Sequence, residues 1–224
     1  MAAPLTTARN KYTENIKNST IETPHGVSEF IFDTIEYYNK IDYVIDPASG
    51  NGNLLKPWWE SGYKTIGVDI DEERNVDYES FSYDENALEW FTKINVSVPG
   101  NKHDLFILNP PFNTDHRNKQ YLKDNKLGKA LLPELFFKAI MDNYGHDTML
   151  VMFAPMGFYF NQRTFSKRWK SLRDEYGDVY LTGFCPLPLN IFEGVEFHVG
   201  LWFYNLKLPS DGCCLFLEDE YLGD

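Results

Sequence analysis

The chain has 224 residues, of which 43% are hydrophobic and 24% charged. That composition suits one compact α/β domain with a buried core and excludes a disordered or fibrous chain. The formal net charge of -12 argues against tight, nonspecific coating of nucleic acid through bulk electrostatics.

Residues 1–22 read as a polar N-terminal arm without the apolar core of a signal peptide. At Thr23 the pattern changes. Thr23 is a candidate helix cap and Pro24 suits a first helical turn, and Val27, Ile31, Ile35 and Tyr38 then recur at helical spacing. The string IDYVIDPASGNGNLL (41–55) predicts a strand ending at Asp46, a glycine turn, and a helix opening at Leu54 and Leu55. A second strand, Lys64 to Val68, runs into Asp69, and a weaker one lies near Tyr78 to Tyr83. DLFILNPPF (104–112) is an apolar strand stopped by two prolines. A polar loop is expected over 113–129, then a helix over 131–141, a strand over 149–154 and a basic helix over 165–176. Two final strands, 179–185 and 198–206, precede a short tail, 207–224. Strand and helix alternate, which predicts a mainly parallel sheet of seven strands with helices on both faces. One domain, 23–206, accounts for the pattern.

Cys185, Cys213 and Cys214 form neither a disulfide framework nor a zinc-ligand spacing. Reduced thiols in a cytoplasmic protein are expected, with no metal. No stretch approaches the length of a membrane span.

Two segments carry chemistry. Gly50 and Gly52 permit a tight turn between strand and helix, which leaves backbone N–H groups at the strand's carboxyl edge, where ligands of such sheets sit. Asp46 and Asp69 end neighbouring strands, and a carboxylate there can accept both hydroxyls of a ribose. The spacing fits a nucleoside-containing cofactor. A dinucleotide fits poorly, because the third glycine of its fingerprint falls at Leu55, and no phosphate-loop motif is present. The second segment is Asn109-Pro110-Pro111-Phe112. Its prolines stiffen the backbone and remove two donors. The Asn109 amide oxygen and the Pro110 carbonyl are left to hold an exocyclic amine while Phe112 stacks on its ring. The competing reading is a Pro-terminated strand with a core Phe.

In order, DPASGNG, GVDID and NPPF, preceded by IETPHGVSEF, resemble the S-adenosylmethionine-dependent adenine-N6 methyltransferases, in the gamma arrangement of the DNA enzymes. The resemblance covers about residues 20–206. It implies a Rossmann-like, seven-stranded methyltransferase sheet and direct methyl transfer to N6 of a flipped adenine, with S-adenosylhomocysteine as the product. DNA is favoured over RNA as substrate, as in restriction–modification.

Site by site, the resemblance implies that Thr23 and the loop Asp46, Pro47, Ala48, Gly50 and Gly52 surround the cofactor's methionine end. Asp69 would take the ribose and Ile70 the cofactor's adenine. Asp84, with Asp77 as its rival, would take that adenine's amino group. Asn109, Pro110, Pro111 and Phe112 would form the catalytic segment. Phe192 would lie against the flipped base, with Phe197 as an alternative for that aromatic.

The DNA enzymes usually carry a separate target-recognition domain, and none is legible here, so recognition would come from loops or a partner subunit. The alternatives are a ribosomal-RNA adenine-N6 methyltransferase, a glutamine-modifying protein methyltransferase (which Phe112 in place of Tyr disfavours) and an inactive cofactor-fold subunit. The charge distribution bears on the substrate. Residues 113–173 hold 11 Lys+Arg and 5 Asp+Glu, a local +6 within a chain of -12. Arg163, Lys167, Arg168 and Lys170 are the candidate phosphate contacts in that segment.

Overall fold

The computed structural model describes residues 21–84, 87, 103–112, 123, 132–160, 174–189, 191–192, 198–209 and 214–215. Its seven strands are β1 (Tyr43–Asp46), β2 (Lys64–Asp69), β3 (Phe81–Asp84), β4 (Asp104–Leu108), β5 (Met149–Pro155), β6 (Leu181–Pro186) and β7 (Val199–Tyr204). They form one sheet in the order β3-β2-β1-β4-β5-β7-β6. The pairs β2–β3, β1–β2, β1–β4 and β4–β5 are parallel. β7 runs antiparallel to both β5 and β6. This is the Rossmann-like, mainly parallel sheet expected from the strand–helix alternation.

The sheet is apolar on both faces, as parallel strands covered by helices require. Within each strand the pleat sends alternate residues to opposite sides. Val44, Leu105, Ile107, Val151, Phe153, Leu201 and Phe203 pack in a core with α1 (His25–Ile35) and α2 (Lys56–Glu60). Ile45, Phe106, Leu108, Leu150, Met152, Trp202 and Tyr204 pack on the other side with α3 (Leu132–Tyr144). A short helix, α4 (Gly157–Phe160), follows β5. α1 buries Val27, Ile31 and Ile35, one residue per turn on a single stripe.

Several boundaries differ from expectation, each for a local reason. Thr23 does not cap α1; Pro24 occupies the cap position with φ -58 and ψ 142 and makes no side-chain capping hydrogen bond. Residues 78–80 are already tied to β2, Thr65 Oγ1 donating to the Tyr78 carbonyl at 2.9 Å and Ser80 N donating to the Thr65 carbonyl at 2.9 Å, but the β2–β3 register opens only at Ile66 and Phe81. β3 therefore starts at Phe81. Leu54 and Leu55 lie in the turn before α2 and are buried there. α3 continues past Met141 to Tyr144. Of the expected basic helix only residues 174–176 are described, and they are helical.

β1 leads to β2 on one side while β4 neighbours it on the other. A crevice therefore opens at the carboxyl ends of β1 and β4, where the strand order reverses. Such switch points are where open α/β sheets bind ligands.

Candidate functional site

A cleft of about 970 Å³, including the solvent at its mouth, opens at that edge. The cleft draws its walls from segments far apart in sequence: Thr23 before α1, Asp46 to Asn51 after β1, Asp69 to Asp71 after β2, and Asn109 and Pro111 after β4. Ile70, Ala87 and Phe136 add apolar wall.

The turn after β1 is built on positive backbone angles, φ +51 at Gly50 and φ +75 at Gly52, which side chains with a Cβ rarely adopt. Nothing lies within 4 Å of where a Gly50 Cβ would be, so the backbone faces open space there. Gly50 N–H donates to Asp69 Oδ2 at 2.8 Å, and Asp71 N–H donates to Asp69 Oδ1 at 2.9 Å. Asp69 thus ties the glycine turn to the end of β2. Each of its oxygens still has a lone pair for a further donor.

Asp46 is 1% exposed. Its Oδ1 accepts the Ala48 N–H at 3.0 Å, while Oδ2 is buried without a hydrogen-bond partner. Burial drives the Asp46 pKa well above the ordinary carboxylate value, and the nearby charges of Asp69 and Glu79 push the same way. The Ala48 N–H and Arg74 oppose them without prevailing. An orphaned acceptor beside a glycine cradle suits a ligand that brings a donor or a positive charge.

Asn109 follows the buried strand β4, and Pro110 and Pro111 stop the ladder there. Asn109 Nδ2 donates to Thr23 Oγ1 at 3.2 Å and lies 3.4 Å from the Ile21 carbonyl. Asn53 Nδ2 donates to the Thr23 carbonyl at 3.1 Å, and Asn51 Nδ2 donates to Glu22 Oε1 at 2.5 Å. Three asparagines therefore clasp the segment Ile21–Thr23 across the cleft.

Of the residues singled out from sequence, Thr23, Asp46, Pro47, Ala48, Gly50, Asp69, Ile70, Asn109 and Pro111 line this one cleft. Gly52 sits behind the turn, where an added Cβ would meet Tyr78 at 3.5 Å. Pro110 is buried, and Phe112 is half-buried against the α1-side core. Phe192 is 2% exposed and packs edge-on to Phe153, with ring centroids 5.7 Å apart. It is a core residue and does not line the cleft. Asp84 ends β3 with its carboxylate 3.6 Å from an Arg74 guanidinium nitrogen, and Asp77 is exposed. Neither lines the cleft. Arg163, Lys167, Arg168, Lys170, Phe197 and Cys213 lie outside the described residues, as does residue 113 onward in the polar loop apart from Lys123. Cys185 is buried and Cys214 exposed, and neither is in a disulfide.

Sequence reasoning missed Arg74. Its side chain is 2% exposed and forms an ion pair with the fully buried Glu79 carboxylate. It donates to Ser49 Oγ at 2.9 Å and to Ser82 Oγ at 2.8 Å. It thus joins the glycine turn to β3 beneath the cleft. Gly67 makes room for this pair: a Cβ there would collide with the Glu79 carboxylate. In sequence Arg74 is one more charge in the string DEERN, where nothing marks it as buried.

No family model matches the chain, and no curated protein does. Solved structures do. A Listeria monocytogenes protein assigned to the class I S-adenosylmethionine-dependent methyltransferases superposes with a TM-score of 0.64 at 16% identity, over 97% of this chain and 71% of that one. The methyltransferase subunit of a type I restriction-modification system from Streptococcus thermophilus superposes with 0.56 at 15% identity, over 90% of this chain and 51% of that one. The M protein of the type I restriction enzyme EcoKI superposes with 0.56 at 16% identity, over 88% and 47%. The chain spans about half the length of these two type I subunits. Its fold is that of the class I methyltransferases.

Proposed function

We propose that this protein transfers a methyl group from S-adenosylmethionine to the N6 amino group of adenine in DNA. The observation that carries the reading is the convergence of the glycine turn, Asp69 and Asn109 on one cleft at the carboxyl edge of the sheet. The cleft fits the cofactor chemically. Its lining is acidic, with Glu22, Asp46, Asp69 and Asp71 against Arg74, and Arg74 is already paired with Glu79 and Asp84. When bound, S-adenosylmethionine supplies a methyl group on a positively charged sulfur, together with an ammonium group. Asp46, Pro47, Ala48, Gly50 and Gly52 would surround its methionine end. Asp69 would accept the ribose hydroxyls on the lone pairs it has left. Ile70 would pack on the adenine. Asp84 and Asp77 lie off the cleft, so this reading assigns neither to the adenine amino group.

Adenine N6 is a poor nucleophile because its lone pair is delocalised into the ring. The Asn109 amide oxygen and the Pro110 carbonyl would accept its two N–H bonds and turn the lone pair toward the methyl. This is positioning and electrostatics. Pro110 and Pro111 keep those acceptors stiff. Taking an adenine out of a duplex costs a few kcal/mol, and stacking on an aromatic ring returns roughly 1–3 kcal/mol. Phe112 is the candidate ring. Phe192, buried on Phe153, serves this reading as core support.

The local +6 of residues 113–173 would supply phosphate contacts on an otherwise acidic chain. A partner subunit would supply target recognition, a reading supported by the likeness to subunits of type I restriction-modification systems.

Tritiated methyl transfer should be measured on duplex DNA, single-stranded DNA and ribosomal RNA in parallel, with nucleoside analysis of the product. N6-methyladenine in DNA is the expected result; preference for RNA overturns the DNA assignment, and absence of cofactor binding overturns the enzyme. Asn109→Ala should lower turnover by about 10²–10³-fold, the cost typical of removing one preorganised polar contact, while calorimetry shows cofactor affinity retained.

A further inference from the structure

We infer that the segment Ile21–Thr23 is a positioning strap for Asn109, with the Thr23 hydroxyl orienting the catalytic amide. The inference rests on the methyl-transfer reading and deepens it.

An asparagine amide has an oxygen end and a nitrogen end of nearly the same shape. One accepts an amine's N–H; the other repels it. Something must choose between the two. The Ile21 carbonyl can only accept, and Asn109 Nδ2 lies 3.4 Å from it. Thr23 Oγ1, 3.2 Å from the same nitrogen, is the shorter contact. The Ile21 contact requires the nitrogen end to face the strap, and the Thr23 hydroxyl, able to donate or accept, takes that nitrogen's N–H as an acceptor, which leaves the oxygen end for the target amine. Pro110 cannot help, since it has no N–H to offer the amide.

The strap is itself anchored. Thr23 is 5% exposed. Its carbonyl accepts Asn53 Nδ2 at 3.1 Å, from the residue just beyond the glycine turn. Pro24 follows at once as the cap of α1, and α1 is fastened by buried Val27 and Ile31. The strap therefore joins the glycine turn, α1 and the Asn-Pro-Pro segment. This also accounts for Thr23 failing to cap α1: its hydroxyl is engaged by Asn109. A threonine that looked like a cofactor contact is instead a positioning residue for the acceptor.

Thr23→Val keeps the shape and removes the hydroxyl; Thr23→Ser keeps the hydroxyl. In Thr23→Val the turnover number should fall about tenfold, as expected for loss of one net hydrogen bond. Cofactor Kd and the KM for DNA should stay within about twofold. Thr23→Ser should restore turnover. A fall in cofactor affinity larger than the fall in turnover would make Thr23 a cofactor contact and overturn the inference.

A second readout needs no turnover. The Asn109 side-chain amide protons, assigned in NMR spectra by their loss in Asn109→Ala, should exchange slowly in the wild type and in Thr23→Ser. In Thr23→Val they should shift and exchange faster. An unmoved pair overturns the inference even if the protein methylates DNA, and a moved pair supports it even if methylation of adenine fails.

Discussion

Asp46 shows how the site departs from a comfortable interior. A carboxyl at 1% exposure with one oxygen unpaired is costly when ionised, and burial, ahead of the charges of Asp69 and Glu79, raises its pKa. The native state therefore holds a proton that the unfolded chain releases near the ordinary value of 3.8. Between that value and the raised native one, the native state binds more protons than the unfolded chain, so stability falls as pH rises through the window. Asp46→Asn cannot ionise and keeps an acceptor for the Ala48 N–H. Its Tm should gain on the wild type steadily as pH is raised from about 3.8, then hold a constant lead above the native pKa. Thermal melts across pH test this; a pH-independent difference would show that Asp46 ionises normally.

At the level of elements, the cleft depends on how β2 and β3 are fastened beneath it. Arg74 and Glu79 lie in the connection between these strands, and both side chains are buried. Arg74 reaches Ser49 on the glycine turn and Ser82 on β3, so one guanidinium braces three segments. A buried pair is weak evidence of net stability, but breaking one leaves an uncompensated charge. Arg74→Met should destabilise the fold by about 3–5 kcal/mol in urea unfolding. Replacing Glu79 by Leu as well should recover much of that loss, since the orphan charge then disappears. If the single and double variants are equally unstable, the brace acts through its hydrogen bonds to Ser49 and Ser82 and not through charge. Gly67 belongs to the same device, because any side chain there would collide with Glu79.

Over the whole molecule, charge is separated along the chain. The net -12 repels a polyanion, while residues 113–173 carry +6. A basic segment in an otherwise acidic chain predicts weak, salt-sensitive binding. The double reversal Arg168→Glu, Lys170→Glu should weaken DNA binding and make the log–log salt dependence shallower by about two, close to one for each phosphate that is no longer neutralised. Cofactor affinity should not change. Titrations over a salt series decide it: an unchanged slope means that other residues neutralise the phosphates. Among the described residues no helix is long and apolar enough to cross a membrane.

The strand-and-turn grammar of this fold is local, and so it is legible in the residues alone. Apolar runs at β1, β2, β4, β5 and β7 are buried because a covered parallel sheet demands apolar residues on both faces. Gly50 and Gly52 announce a turn because positive φ excludes most other residues, and Asn109-Pro110-Pro111 announces a strand end because proline cannot continue a ladder. The destinations of side chains are a different matter. Thr23 looks like a helix cap until the fold sets it against Asn109, 86 positions away. Arg74 looks like surface charge until the chain closes over Glu79 and Ser49, the latter 25 positions away. Phe192 looks like a partner for a flipped base, and packing on Phe153 places it in the core. Backbone geometry is set by near neighbours, whereas burial and hydrogen-bond partnership depend on which distant segments the sheet order brings to the same edge.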